Sequence, residues 1–282
     1  MRASDFQPQT AALAQVDGKI LLVGAGKMGT AILEGWLGLG LSPSKLIVLE
    51  PDPSAQLSVL AAQGLTLNPD RAADQAVVAA LIAVKPQTAP EVMPHIVPFL
   101  GDGTVVVSIM AGRTLRFISS ILPKAAIVRA MPNVAASIGR GITVAIANSR
   151  VAAAQRDLVH ELLSAVGVVE WTADEDLLDA VTAVSGSGPA YVFLLAECMA
   201  RAGVLAGLPA GLAERLANAT VAGAGELLAR SGLDPATLRQ NVTSPGGTTA
   251  AALDVLMSER GLQPLLTEAI AAATRRSRQL AE

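Results

Sequence analysis

The stretch Ile20-Leu-Leu-Val-Gly-Ala-Gly-Lys-Met-Gly29 decides the fold of this chain. Its apolar start predicts a buried strand, and the pattern Gly24-x-Gly26-x-x-Gly29 then leads directly into a helical pattern. In this context the glycines allow a tight turn and let the backbone approach a pyrophosphate at the N-terminus of the helix. A glycine-rich turn without a ligand is the structural alternative. The loop residues that we expect to bind a dinucleotide are Gly24, Gly26, Lys27, Met28 and Gly29.

Short β-branched apolar runs alternate with helical patterns from Lys19 to about Val169. Such alternation predicts βαβ units around a buried parallel sheet, the α/β architecture of a Rossmann-type domain. The predicted strands are residues 19–24, 45–50, 77–84, 104–109, 126–131, 142–146 and 166–169. From Asp174 onward only helical patterns remain. We therefore predict a dinucleotide-binding domain over residues 18–170 and an all-α dimerisation and substrate domain over residues 171–282, preceded by a loose tail of residues 1–17.

The composition limits the classes of function. Aromatic residues make up 2% of the chain and the net charge is −3, which argues against the stacking platforms and basic surfaces of nucleic-acid-binding proteins. The single cysteine, Cys198, can form neither an internal disulfide nor a zinc cluster, so we expect no metal and a reducing, cytoplasmic setting. We also expect no membrane span, because charges interrupt the apolar stretches. Since 51% of the residues are hydrophobic, a large subunit interface is expected.

Two further strand ends are expected to complete the cofactor site. An acid after the second strand normally accepts hydrogen bonds from the adenosine ribose and repels a 2′-phosphate. Glu50 and Asp52 stand there and no Arg follows, so the sequence favours NADH or tolerance of both NADH and NADPH. Ser54 is expected to cap the next helix, and Lys85 is alternatively an ordinary surface lysine. The residues expected at the second strand end are Ala83, Val84, Lys85 and Pro86.

The all-α half contains no lysine and no histidine. Reduction of a ketone creates an alkoxide, which such a group would normally protonate. Hydride addition to a protonated imine instead cancels the positive charge and leaves a neutral amine, so that step needs only positioning and electrostatics. The absence therefore favours C=N chemistry, although Tyr191, Glu197 and water stay open as acids.

Two clusters of glycines and hydroxyls interrupt the helical half. Val242-Thr-Ser-Pro-Gly-Gly-Thr-Thr249 gives up about 1 kcal/mol of helix stability per glycine and frees backbone N–H groups to converge on an anion. Val184-Ser-Gly-Ser-Gly-Pro-Ala-Tyr191 forms a second helix start, with Ser187 placed to cap it and Pro189 in its first turn. Capped turns without a ligand are the alternative for both clusters. Together they would offer two positive helix ends to a substrate carboxylate.

With Ala111-Gly112, Arg129-Ala-Met-Pro-Asn133 and Val181-Thr182, these motifs stand in the order found in pyrroline-5-carboxylate reductases, which the chain resembles from about residue 19 to residue 280. The resemblance implies NAD(P)H-dependent reduction of 1-pyrroline-5-carboxylate to L-proline, the last step of proline synthesis. It also implies homodimers formed through interleaved helical domains, often assembled further into decamers. Asn133, at the end of its motif, is expected to contact the cofactor.

For the substrate, the resemblance implies that Ser244, Gly247, Thr248 and Thr249, with the adjoining backbone N–H groups, hold the carboxylate and the ring nitrogen of the imino acid. Thr249, the candidate catalytic residue, would contact the nitrogen. The residues expected to bind the substrate are Ser187, Ser244, Gly246, Gly247, Thr248 and Thr249.

Two positions depart from the pattern of the family, and two other functions are open to the chain. Glu50-Pro51-Asp52 stands where many members carry Asn-Arg-Ser/Thr, and Asp234 where many carry His, which looks like a helix-cap difference. A 3-hydroxyacid or 6-phosphogluconate-type dehydrogenase is one alternative, but it should show a lysine in the helical domain. A non-catalytic NAD(P)H-sensing protein is the other, and it would show no turnover.

Overall fold

The computed structural model describes residues 13–70 and 76–281. Residues 1–12 of the predicted tail therefore lie outside the described residues. Leu13 is fully buried in the same core cluster as Trp36, and its N–H donates to the Leu39 carbonyl oxygen at 3.2 Å. Val16 packs against this cluster too. The prediction of a loose tail is thus wrong at these two positions, because their apolar side chains help to cover the sheet.

The strands of the described residues form one eight-stranded sheet in the order β3-β2-β1-β4-β5-β6-β7-β8. Their bounds are β1 (Lys19–Val23), β2 (Leu46–Leu49), β3 (Thr66–Leu67), β4 (Val77–Ile82), β5 (Val105–Ser108), β6 (Ala126–Met131), β7 (Gly141–Ala147) and β8 (Gly167–Trp171). The order of the first six strands is that of a Rossmann-type domain, as predicted. The two-residue β3 was not predicted, since a pattern cannot be recognised over so short a run.

The last two strands run against the others. The predicted parallel pairing is confirmed from β3 to β6, whereas β7 pairs antiparallel with β6 and β8 pairs parallel with β7. The connection from Met131 to Gly141 causes the reversal, because a parallel pair needs a crossover of about a dozen residues or more.

Helices cover both faces of this sheet. They are α1 (Lys27–Gly38), α2 (Ala55–Ala62), α3 (Ala89–Val92), α4 (Leu115–Ile121), α5 (Ala153–Ser164) and α6 (Leu177–Val181). Side chains of β1 alternate between two core clusters, with Ile20 in one and Leu21 in the other. Trp36 of α1 belongs to the first cluster and donates its indole N–H to the Leu162 carbonyl oxygen of α5 at 2.8 Å. Met93, in the 3-10 turn that follows α3, belongs to the second.

The remaining helices follow a π-helical turn at Thr182–Gly186. They are α7 (Gly188–Leu205), α8 (Ala210–Ser231), α9 (Pro235–Asn241), α10 (Thr248–Leu256) and α11 (Leu262–Ala281). The short α9 was not predicted, but Asp234 caps it as the sequence suggested: its Oδ1 accepts from Thr237 N at 3.0 Å. Hydrogen bonds from the side chain and then the backbone of Thr237 lower the pKa of Asp234 below its usual value.

By packing, the chain divides into two compact units. Residues 13–186 and 274–281 belong to a sheet unit, and residues 187–273 form a helical unit. The sequence places the boundary after residue 170, at the composition shift near Trp171. Residues 171–186 nevertheless pack with the sheet unit, because Leu178 and Ala183 are fully buried and Glu175 pairs with Arg129.

We expect Leu13→Ala to lower the free energy of unfolding by about 2–5 kcal/mol, the usual cost of a large-to-small change in a core. The exposed neighbour Gln15 provides the control, and Gln15→Ala should stay within about 0.5 kcal/mol of wild type. Thermal unfolding at one fixed protein concentration measures both. Equal melting temperatures for the two variants would contradict the placement of Leu13 in the core.

Candidate active site

The glycine-rich loop after β1 is shaped by two close backbone approaches. Gly24 has a φ of +89°, and a Cβ there would lie 2.9 Å from the Ala83 carbonyl oxygen. A Cβ on Gly29 would lie 2.2 Å from the carbonyl oxygen of Gly24. The first and third glycines of the motif are therefore required by the fold of the loop itself.

Gly26 differs from the other two, since the fold does not require a glycine there. Its φ of −67° is ordinary, and among the described residues a Cβ on it would meet nothing within 4 Å. It is the N-cap of α1, which begins without a side-chain capping bond. Open space at the positive end of a helix fits the close approach of a pyrophosphate. The loop thus has the shape that a dinucleotide needs.

The carboxylate of Glu50, at the end of β2, is bonded to this loop. Its Oε2 accepts a hydrogen bond from Ala25 N at 2.7 Å, and its Oε1 accepts one from Asp52 N at 3.1 Å. An acid therefore lies beside the glycine-rich loop, where the sequence predicts the adenosine ribose. Ser54 caps α2 as expected, with its Oγ accepting from Leu57 N at 3.3 Å.

Residues 83–86 follow β4, which is the neighbour of β1 in the sheet. Ala83 N donates to the Val23 carbonyl oxygen at 2.7 Å, so this segment and the glycine-rich loop leave the sheet side by side. The order of the strands reverses between β1 and β4, and ligands bind at such a switch point in open α/β sheets. Lys85 is exposed there.

Arg113, which the sequence patterns did not indicate, holds the same edge of the sheet. Its Nε donates to the Pro86 carbonyl oxygen at 2.9 Å, and its guanidinium lies 4.4 Å from the centre of the Phe117 ring. The only signal in the sequence was its position directly after Ala111-Gly112. Arg113 therefore fixes the backbone of a segment that is predicted to contact the cofactor.

Asn133 follows β6 and lies at the same carboxyl edge, since β1, β4, β5 and β6 run parallel. Its Oδ1 accepts a hydrogen bond from Ile142 N at 3.3 Å, which ties the turn after β6 to β7. The side chain is half-buried. Its contact with the cofactor stays a prediction.

A buried ion pair joins β6 to the segment after β8. Arg129, only 5% exposed, donates from Nη1 to Glu175 Oε1 at 2.8 Å, and Leu115 N donates to the same oxygen at 2.7 Å. A charge is tolerated at such a buried position only when it is paired. The sequence indicated Arg129 merely as part of a motif, and its contacts show that it holds α4 and the segment before α6 against the sheet.

In the helical unit, residues 242–249 lead into α10. Gly246 has a φ of +68°, and Gly247 is the N-cap with no side-chain hydrogen bond to the helix. Gly247 N donates to the Ser244 carbonyl oxygen at 3.0 Å, and a Cβ on Gly247 would lie 2.6 Å from Ser244 Oγ. The alternative of a hydroxyl-capped turn does not form. Gly246 is needed for the positive φ of the loop, whereas a side chain at Gly247 would displace the hydroxyl of Ser244.

The first turn of α10 directs backbone donors away from the helix. The first N–H groups of an α-helix have no partner within it, so those of Thr248 and Thr249 are available to donate to an anion. Thr249 is half-buried and Ser244 is exposed. Thr243 differs from them, because its hydroxyl donates to the Arg239 carbonyl oxygen at 2.6 Å. The loop thus presents donors suited to an anion.

Ser187 lies at the start of α7 in the same unit, with Pro189 in the first turn as predicted. The hydroxyl of Ser187 makes no capping hydrogen bond, so the cap expected from the sequence does not form. The side chain is half-buried. Its role in substrate binding stays a prediction.

The helical unit exposes most of its apolar side chains. Phe193 is 63% exposed and Leu205 is 90% exposed, whereas its buried hydrophobic residues, as far as the structure describes the chain, are Ala213 and Ala217. The run Leu177–Leu205 is also long and apolar enough to cross a membrane, by length and composition alone, which the sequence analysis did not anticipate. Such a surface must be covered in the functional protein.

Two family descriptions match the chain. Residues 175–280 match the family described as "Pyrroline-5-carboxylate reductase dimerisation". Residues 19–112 match the family described as "NADP oxidoreductase coenzyme F420-dependent". Among curated relatives, the pyrroline-5-carboxylate reductase of Synechocystis sp. is 41% identical over 92% of this chain and 97% of that protein. The enzyme of the same name from Pseudomonas aeruginosa is 37% identical over 94% and 97%.

Solved structures agree with these matches. A pyrroline-5-carboxylate reductase from Coxiella burnetii superimposes with a TM-score of 0.86 at 33% identity, covering 95% of this chain and all of that one. The Plasmodium falciparum pyrroline carboxylate reductase, solved with NADP bound, gives a TM-score of 0.78 at 26% identity, covering 94% and 98%.

The glycine-rich loop generates a paired prediction. Gly26→Ala should lower the melting temperature only slightly, because Ala is a poorer N-cap than Gly but its Cβ points into open space. It should raise the Kd for NADH at least about 10-fold by occupying the place of the pyrophosphate. Gly29→Ala should weaken NADH binding and also lower the melting temperature markedly, because its Cβ would meet backbone atoms of Gly24. Calorimetric titration and thermal unfolding measure the two effects. Unchanged NADH binding by Gly26→Ala would show that no pyrophosphate lies against this loop.

Proposed function

Because the chain belongs to the pyrroline-5-carboxylate reductase family, we propose that its sheet unit binds the nicotinamide coenzyme and its helical unit binds the imino acid. The enzyme reduces 1-pyrroline-5-carboxylate to L-proline with NADH or NADPH, the last step of proline synthesis. The observation that carries this function is 41% identity to the Synechocystis enzyme over 92% of the chain. It removes the 3-hydroxyacid dehydrogenase and the coenzyme sensor as alternatives.

The loop before α10 is the proposed cradle for the substrate carboxylate. Its left-handed Gly246 turns the backbone, and the uncapped helix that follows has a partial positive charge at its start. A carboxylate of the size of the imino acid's can accept hydrogen bonds from the N–H groups of Thr248 and Thr249 there. Ser244, Gly246 and Gly247 supply the rest of the loop, and Ser187 is proposed as a further contact.

Thr249 is the proposed contact to the ring nitrogen. When bound, the nicotinamide supplies a hydride to C5 of the pyrroline ring. If the imine is protonated, the ring nitrogen carries the positive charge before the step and is a neutral amine after it. No lysine or histidine occurs in residues 187–273, and the chemistry needs none in that step. The hydroxyl of Thr249 then has only to orient the ring.

We propose that the coenzyme preference leans towards NADH. Glu50 is supported in this role by its position beside the glycine-rich loop, where its carboxylate accepts from Ala25 N. From there it can accept hydrogen bonds from the ribose hydroxyls and repel a 2′-phosphate. The other proposed cofactor contacts are Lys27, Met28, Ala83, Val84, Lys85, Pro86 and Asn133.

The chain forms a homo-oligomer, as its dimerisation domain indicates. We propose that the exposed apolar faces of α7 and α8 pair with a second copy rather than with lipid, since α7 carries Glu197 and Arg201 within its apolar run. Assembly into a decamer and a cytoplasmic location are the finer proposals. Light scattering coupled to gel filtration distinguishes a dimer from a decamer.

Thr249→Ala should raise KM, lower kcat and reduce kcat/KM about 10- to 100-fold, the range expected when a hydrogen bond to a charged group is lost. The assay follows oxidation of NADH and of NADPH with 1-pyrroline-5-carboxylate. Thr243→Ala is the matched control, because its hydroxyl is already bonded to Arg239 O, and should keep wild-type kinetics. Wild-type kcat/KM in purified Thr249→Ala would refute the assignment of this loop.

Wild-type enzyme should show a higher kcat/KM with NADH than with NADPH. Glu50→Arg should reverse that order, because it replaces the repulsion of the 2′-phosphate by attraction. The measurement compares kcat/KM for both coenzymes in both proteins at one ionic strength. A strong preference of the wild type for NADPH would mean that Glu50 does not bind the ribose hydroxyls and does not repel a 2′-phosphate.

A further inference from the structure

We propose that Asn68 is a positioning residue that sets the coenzyme preference by holding Glu50 in place. This inference rests on the proposed role of Glu50 at the adenosine ribose. It adds a residue that does not itself contact the coenzyme and that the sequence did not indicate.

The side-chain amide of Asn68 pairs with the backbone of Glu50 just beyond the last paired residues of β2 and β3. β2 and β3 pair through Ile47 with Thr66 and through Val48 with Leu67. Beyond them, Asn68 Oδ1 accepts from Glu50 N at 2.8 Å, and Asn68 Nδ2 donates to the Glu50 carbonyl oxygen at 2.8 Å. An amide offers the same donor and acceptor as a peptide group. The backbone of Glu50 is therefore held at two points.

The backbone of Asn68 is turned out of the strand to make this arrangement. Its N–H still donates to the Val48 carbonyl oxygen at 2.9 Å, but its φ is +47°. Among the described residues it is the only non-glycine residue with a positive φ. Asparagine enters this left-handed region more readily than most residues. A conformation of this kind persists where surrounding contacts enforce it, often at functional sites.

From the clamped backbone, the side chain of Glu50 reaches the glycine-rich loop. Its Oε2 accepts from Ala25 N at 2.7 Å. Asn68, Glu50 and Ala25 thus form a continuous set of contacts from the end of β3 to the loop. Without the amide, the carboxylate would lose its fixed position relative to both ribose hydroxyls. It would bind the ribose of NADH less well and oppose a 2′-phosphate less strongly.

The decisive variant is Asn68→Gly, since glycine keeps the left-handed backbone and removes only the amide. Asn68 is exposed, so the core stays intact. We expect the ratio of Kd for NADPH to Kd for NADH, measured by calorimetric titration, to fall about 5-fold, as for the loss of roughly one net hydrogen bond. The same ratio taken from kcat/KM should fall in parallel.

Asn148→Ala is the matched control. Asn148 makes the same kind of clamp at the amino end of β6, where its Oδ1 accepts from Ile127 N and its Nδ2 donates to the Ala125 carbonyl oxygen, each at 3.1 Å. That end is the opposite edge of the sheet from the glycine-rich loop. Asn148→Ala should therefore lower the melting temperature without a change in the coenzyme ratio.

Glu50→Gln, alone and combined with Asn68→Gly, tests the role of Glu50 separately from the role of Asn68. If Asn68 acts through Glu50, Asn68→Gly should not change the ratio further in the Glu50→Gln background. A shift with Glu50→Gln but none with Asn68→Gly would overturn the role of Asn68 and leave the proposed function intact. No shift with Glu50→Gln would overturn the roles of Glu50 and Asn68 in the coenzyme preference and leave the reductase activity untouched. Equal weakening of NADH and NADPH by Asn68→Gly would reduce Asn68 to a structural residue.

Discussion

The close approach of Gly29 to the carbonyl oxygen of Gly24 is the constraint on which the coenzyme edge depends. A Cβ on Gly29 would lie 2.2 Å from that oxygen, so any larger residue would push α1 away from the end of β1. With the glycine in place, α1 starts directly beside β1, and its first N–H groups point into the switch point of the sheet. Among the described residues, no atom lies within 4 Å of the place that a Cβ on Gly26 would take, so the space beside the second glycine is available to a ligand.

Polar side chains at this edge serve mainly to hold backbone in position. Glu50 holds Ala25 of the glycine-rich loop, Arg113 holds Pro86, and Asn133 holds Ile142. The first two bonds join residues 25 and 27 positions apart, and the third ties the turn after β6 to β7. Loops fixed before a ligand arrives lose little conformational entropy on binding, and they keep the ligand's geometry within narrow limits. The fixed loops at this edge can therefore hold a coenzyme in one orientation, and hydride transfer to an imine requires such an orientation.

The features predicted from the sequence are those that a short window of residues encodes. The glycine pattern, the strands of β-branched residues and the helical half are local signals, and the structure has them. The reversal of β7 follows from the short connection between Met131 and Gly141. The burial of Leu13 and the clamp at Asn68 instead depend on partners far along the chain. No local pattern predicts such partners. Arg113 was missed for the same reason, since its partner Pro86 precedes it by a whole helix and strand.

Within one chain the helical unit buries few apolar side chains completely. Its buried hydrophobic residues among those described are Ala213 and Ala217, a small core for the ordering of residues 187–273. The surface that makes Leu177–Leu205 apolar enough for a membrane is the same surface that has to be buried for these helices to fold. A second copy can supply that burial. Because the loop before α10 belongs to this unit, the geometry of the proposed substrate cradle then depends on subunit association.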